Sequence, residues 1–238
     1  MGPVVVFDLR GELAHFRRPD TFATHASYPF IPRTALRGLI GAVLGEEYRT
    51  EGDVLPAEAR CGLRLLSPVR TVAQELSLHG KRWLGGGGDE SFHRPTSIEL
   101  VVQPRYRVFY AGPRAEELAA RLERRQSVFH TYLGSAFCLT FPEWVGSRSA
   151  LAPAGRDRLD CVTVVPSSAV GRLVMRDGTH VARVGGIMRE HIGDRRFRGT
   201  MAVLYERSGG LVSFTPADPL PPDQLFLDVE GEGTVCLW

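Results

Sequence analysis

Residues 28–45 read YPFIPRTALRGLIGAVLG and carry a start signal, a stop signal and one apolar stripe. Thr34 is placed to cap a helix N-terminus, and Gly45 to end the helix in a left-handed turn. Between them Leu36, Leu39, Ile40, Val43 and Leu44 recur at helical spacing on one face. The other side holds Arg37, Gly38, Gly41 and Ala42, so a second surface can come close. Two readings fit that face. Either another helix packs on it through the small residues, or a phosphate chain lies along the helix start beside Arg33 and Arg37.

Upstream, VVVFDLRGELAHF predicts a buried first strand that turns polar, and RRPDTFATHASYPFIP predicts an extended, proline-rich loop. Downstream, residues 60–110 read as a long strand excursion. CGLRLLSPVRTVAQELSL goes out, HGKRWLGGGGDESFHRP turns, and TSIELVVQPRYRVFYAG returns. Consecutive glycines cannot pack a core, so the tip is expected to move when nothing is bound. PRAEELAARLERRQSVFHTYLG predicts a second helix with Leu118, Leu122 and Phe129 inward and Gly134 as its stop, and FCLTF predicts a strand. Residues 142–159 read as a connection. Beyond it CVTVVPSS, RLVM, HVARV, TMAVLYE, LVSFT and FLDVEG predict short strands. The fold class is therefore α+β: a first lobe over residues 1–145, with a hairpin at about 66–104, and a small β-rich lobe over residues 146–238.

A length of 238 residues fits one large domain or two closely packed small ones. No apolar run approaches the roughly 18 residues of a membrane span. The N-terminus lacks the pattern of a signal peptide, so a cytoplasmic location and no membrane partner are expected. Cys61, Cys138, Cys161 and Cys236 lie far apart without C-x-x-C spacing, which predicts reduced core thiols and neither a zinc site nor disulfides. Among 29 basic residues only Lys81 is a lysine. Genomic base composition accounts for that bias, yet the surface still presents forked guanidinium groups suited to phosphates. Residues 1–210 hold all 29 basic residues against 22 acidic ones, a net of +7, while residues 211–238 hold five acids and no base. A solvated acidic tail is the expectation for that end.

The excursion tip gathers His79, Lys81, Arg82, Trp83, Phe92, His93 and Arg94. Aromatics interleaved with bases can stack on splayed nucleotides, and an ordinary exposed loop is the competing account. RVGGIMREHIGDRRFRG, residues 183–199, carries five arginines and reads as a basic loop that could follow a phosphate chain, or as a solvated turn. No phosphate-loop, metal-helix or nucleophile-elbow motif occurs, and no cofactor is implied. Metal-free RNA cleavage would have to use His79 or His93 as base with Lys81 stabilising charge.

Taken in order, HFRRP after the first strand, YPFIPRTALRGLIGAVLG, HRPTSIELVVQPRYRVFY and TYLGSAFCLT resemble CRISPR-associated (Cas) protein family 5. The resemblance implies a ferredoxin-like (RNA-recognition-motif) lobe with a protruding β-hairpin thumb that grips the 5′ handle of CRISPR RNA in a Cascade-like complex, closest in style to type I-B. Its partners would be CRISPR RNA, a backbone subunit of Cas protein family 7, a large subunit of Cas protein family 8, and target DNA through the complex. The implied RNA contacts are His15, Phe16, Arg17 and Arg18 beside the first strand, Arg33, Thr34 and Arg37 at the helix start, and Lys81, Arg82, Trp83, His93 and Arg94 in the thumb. One branch of the family cuts precursor RNA with a tyrosine and an adjacent lysine–histidine pair. Here Lys81 is followed by Arg82, and no lysine–histidine pair occurs. That departure implies a binding subunit without catalytic residues, with the metal-independent endoribonuclease as the alternative.

Overall fold

The computed structural model describes residues 2–21, 24–47, 52–79, 93–155, 157–194 and 196–238. In chain order the first elements are β1 (Val4–Arg10), β2 (Leu13–Ala14), α1 (Arg33–Leu44), β3 (Arg60–Leu65), β4 (Thr71–His79) and β5 (His93–Val102). They are followed by β6 (Arg105–Ala111), α2 (Ala115–Glu123) and β7 (Glu143–Arg148). The rest is β-rich: β8 (Ala150–Leu151), β9 (Leu159–Cys161), β10 (Val165–Pro166), β11 (Val170–Leu173) and β12 (Val181–His191). β13 (Phe197–Glu206), β14 (Val212–Pro216), β15 (Leu225–Val229) and β16 (Gly233–Leu237) complete it.

β1 is a near-continuous apolar run because it is covered on both faces. Val5, Phe7 and Leu9 pack with Leu36 and Ile40 of α1 and Leu118 of α2, while Val4 and Val6 meet Leu227 and Val229 of β15 and Val235 and Leu237 of β16. β1 pairs antiparallel with β6 and β7, and β3 joins through β6, giving the order β3-β6-β1-β7. From this sheet β4 and β5 extend as an antiparallel hairpin, in register from Thr71 opposite Val101 to His79 opposite His93. The second half forms a six-stranded sheet in the order β11-β14-β9-β16-β15-β8 and a smaller sheet in the order β10-β13-β12. The fold is α+β, as expected, with one large core cluster that draws residues from both halves of the chain.

Several local expectations are corrected. α1 begins at Arg33 with Pro32 in the cap position, so Thr34 is a helical residue and not the N-cap. Its stop is as expected, with Gly45 at φ 79°. α2 is only nine residues long and ends where Arg125 takes φ 54°, leaving Phe129 45% exposed instead of inward. FCLTF is not a strand, because the chain doubles back there through an isolated bridge between Tyr132 and Leu139. Residues 143–148 are strand β7 and not a connection, held by backbone pairing to β1 and by Trp144 against the core.

The supposed basic loop at 183–199 is most of an antiparallel hairpin, β12–β13, in which His191 lies opposite Phe197 at the far end. The acidic end is not a solvated tail. It forms β14 to β16, and its carboxylates neutralise arginines of the body: Glu232 pairs with Arg107 and Arg64, and Asp223 with Arg189. The last residue, Trp238, is 4% exposed and exchanges backbone hydrogen bonds with Cys61 at 3.0 and 3.3 Å.

Candidate nucleic-acid interface

The inner side of α1 is fully used by the fold. Arg37 is 1% exposed, and its Nε donates to Asp53 at 2.8 Å. Its terminal nitrogens donate to the carbonyls of Ala59, Leu55 and Pro56 at 2.7, 2.6 and 2.9 Å. Arg37 therefore clamps the 53–59 segment beneath the helix, and a phosphate contact from it is ruled out by burial and occupancy. Gly41 serves the same packing: a Cβ there would lie 2.5 Å from Cγ2 of Val54.

The outer side of the same helix is open. A Cβ on Gly38 would meet nothing within 4 Å, and Thr34, Ala35, Gly38 and Ala42 form the floor of a cleft of about 540 Å³. One wall is the 129–132 segment. It is fixed to the end of α1 by hydrogen bonds from the N–H groups of Phe129 and Val128 to the carbonyls of Ala42 and Val43, at 3.0 and 3.4 Å. These bonds satisfy carbonyls that a helix C-terminus leaves without intrahelical partners. The other wall is the end of hairpin β12–β13, where the rings of His191 and Phe197 meet with centroids 5.3 Å apart. Phe129, Tyr132 and Phe197 are each more than two-fifths exposed. Aromatic faces around a floor of small residues can hold a flat ring by stacking.

Arg33 reaches the hairpin wall. Its guanidinium donates to the Arg189 carbonyl at 2.5 Å, and burial, then the charge of Arg37, lowers its pKa. Tyr28 ties the same hairpin down through a hydrogen bond from its hydroxyl to the Gly186 carbonyl. Thr34, expected as a contact, lines the cleft. The loop after β1 contributes less than expected. His15 is 6% exposed, and its Nδ1 donates to the Glu99 carbonyl at 2.8 Å, so it fastens the loop to β5. Phe16 is also buried. Arg18 makes a two-point ion pair with Asp20, at 3.1 and 2.6 Å, and lies 5.8 Å from the Tyr28 ring centroid, while Arg17 is exposed. His93 and Arg94 are the first residues of β5, and Lys81, Arg82 and Trp83 lie outside the described residues.

The sheet face opposite the helices offers no comparable opening around Val4, Val6 and Phe109, because β15 and β16 cover it. Sequence reasoning missed Phe129 and Tyr132 as wall residues, and it singled out the segment of His191 and Phe197 for its arginines and not for those rings. The aromatic spacing in VFHTY was the available signal, but a helix assignment through Phe129 hid it. Among the described residues no group of three or more His, Cys, Asp or Glu side chains could hold a metal ion, and no helix is long and apolar enough to cross a membrane. The four cysteines are free and buried, and burial pushes the Cys61 and Cys161 thiols up to about 11.

This architecture recurs in solved structures. One titled "CRISPR RNA-guided surveillance complex" aligns at 17% identity and a TM-score of 0.53, covering 90% of this chain and 92% of that chain. A "Crystal structure of a CRISPR protein from Archaeoglobus fulgidus" aligns at 10% identity and a TM-score of 0.54, covering 98% and 97%. A "Crystal structure of Cas protein" aligns at 18% identity and a TM-score of 0.50, covering 87% and 96%. No curated protein matches the chain. The model of the family described as CRISPR-associated protein (Cas_Cas5) matches residues 4–191. The chain belongs to that family.

Proposed function

We propose that this protein is a non-catalytic RNA-binding subunit of a Cascade-like, RNA-guided complex, in which it caps the 5′ handle of CRISPR RNA. The observation that carries the reading is the open outer face of α1, a surface of small residues left uncovered in a chain of this family. A face that only served helix packing would be filled. The order β3-β6-β1-β7 with two helices on one side supports a ferredoxin-like description of the first lobe, and hairpin β4–β5 is the candidate thumb. A backbone subunit and a large subunit, of Cas protein families 7 and 8, are the proposed neighbours, with target DNA reached through the assembly. The likeness to a chain of a surveillance complex supports that setting.

The test mixes the purified protein with 5′-labelled repeat RNA in EDTA and follows retention and cleavage against a scrambled RNA. Selective retention of intact RNA is expected. Site-specific cutting would make the protein a processing endoribonuclease and redirect attention to His79, His93 and Lys81. Equal or absent retention of both RNAs would overturn the reading.

A further inference from the structure

We infer that the cleft over α1 is a nucleobase slot, in which one unstacked base of a single-stranded RNA lies between the 129–132 wall and the end of hairpin β12–β13. The inference rests on the reading that the protein binds RNA, and it assigns part of that binding to the β-rich half of the chain.

The shape and chemistry of the cleft select the occupant. Its floor at Gly38 has nothing within 4 Å of where a Cβ would sit, so a flat group can reach the helix backbone. Its walls carry Phe129, Tyr132 and Phe197, at 45%, 46% and 43% exposure, and these offer apolar faces on which a ring can stack. The volume, about 540 Å³, falls within the roughly 300–1,000 Å³ of ordinary ligand pockets.

A phosphate is a poor fit, because Asp53 and Glu46, which line the cleft, present acceptors and no donors to it. Each is already paired, Asp53 with Arg37 and Glu46 with Arg114, so the lining is neutral and suits an uncharged ring. The strand that delivers the ring is a polyanion, and the +7 body over residues 1–210 complements it. Stacking of single-stranded bases on aromatics, with basic groups tracking the backbone outside, is how such strands are held without base pairing.

The wall geometry is set before any ligand arrives. The Phe129 and Val128 N–H groups are bonded to the end of α1, and Thr131 Oγ1 donates to the Thr140 carbonyl at 2.5 Å. Across the cleft, Arg33 and Tyr28 hold the hairpin by the carbonyls of Arg189 and Gly186. Both walls are thus held by hydrogen bonds within the fold, so a base spends little on ordering them.

The experiment uses the full-length protein with a repeat-derived single-stranded RNA in which 2-aminopurine replaces each base in turn. One position, or two neighbours, should lose fluorescence on binding while the others do not. Phe197→Ala and Gly38→Leu, which remove a wall and fill the floor, should restore that fluorescence and weaken affinity roughly 10-fold or more, in line with the loss of one stacked base. If the RNA binds but no position responds, or if Phe197→Ala and Gly38→Leu bind as wild type, the slot is overturned and the RNA-binding reading stands. If those variants keep RNA but lose association with a neighbouring subunit, the cleft is a protein contact and the inference again fails. If no RNA binds at all, the parent reading fails first.

Discussion

The two sides of α1 are written with the same residues and do opposite work. Arg37 and Gly41, one turn apart, face the 53–59 segment and disappear into the fold; Gly38 faces an open cleft, and Arg33, one turn before Arg37, reaches out to hairpin β12–β13. The difference lies in what lies opposite. Asp53 and Val54 meet the inner side, giving an ion pair to one residue and a side chain that needs the space of the other. The outer side meets walls that leave Gly38 uncovered, with nothing within 4 Å of where a Cβ would sit. A glycine on a helix is therefore a packing device or an opening according to its neighbours in space.

The largest test of this contrast is Arg37→Ala. It leaves Asp53, whose side chain is 10% exposed, as an uncompensated charge and strips donors from three carbonyls, two of them buried. The expected loss is about 3–5 kcal/mol, read as a fall in the midpoint of urea unfolding. Arg33→Ala removes one hydrogen bond at the molecule's edge and should cost about 1 kcal/mol. Comparable losses from the two would erase the distinction between the buried clamp and the arginine at the molecule's edge.

A second test addresses whether the outer side keeps its wall. Glu206, at the base of hairpin β12–β13, accepts from the N–H groups of His180, Ser208 and Gly210 at 3.0, 2.8 and 2.7 Å. Burial opposes its ionisation, but those N–H groups outweigh burial and hold the carboxyl below its usual value. A depressed folded pKa means that the stabilisation is complete above the unfolded value, about 4.3, and is lost as pH falls through the folded one. Wild type should exceed Glu206→Gln by roughly 1.5–3 kcal/mol at neutral pH, with the gap closing in acid. A gap that persists at low pH would show that the carboxylate charge is not what anchors the hairpin.

Much of the frame was legible in the sequence. The apolar stripe of α1, its stop at Gly45, the out-and-back strands around residues 60–111 and the strand-rich second half all follow from local pattern. The site was legible only in part. Arg37 and Arg33 have the same side chain near the same helix start, and only the 53–59 segment, carrying its own acid and carbonyls, separates them. Hairpin β12–β13 was misread because its glycines and arginines lack the alternation of a half-buried strand. Its burial is instead concentrated at Val184, Ile187 and Val203, on either side of the break in register between Val184 and Ile187. Phe129 was placed inward because the helical pattern continues in the sequence past the point where Arg125 turns the chain away.

The smallest effect discriminates most sharply, because it changes sign across the helix. Replacing a glycine inside a helix by alanine gains roughly 0.5–1 kcal/mol from the reduced freedom of the unfolded chain, wherever the new methyl group meets no obstacle. Gly38→Ala has open space and should show that gain as a higher unfolding midpoint. Gly41→Ala gains the same helix propensity, but its Cβ would lie 2.5 Å from a methyl of Val54. Overpacking of that kind costs about 1–3 kcal/mol, so the net change should be a loss of about 1 kcal/mol. The partner substitution Val54→Ala removes the obstacle and should turn that loss toward a gain relative to Val54→Ala alone. If Gly38→Ala destabilises as Gly41→Ala does, the outer side is packed in solution, and the opening over α1 is closed by some other part of the chain.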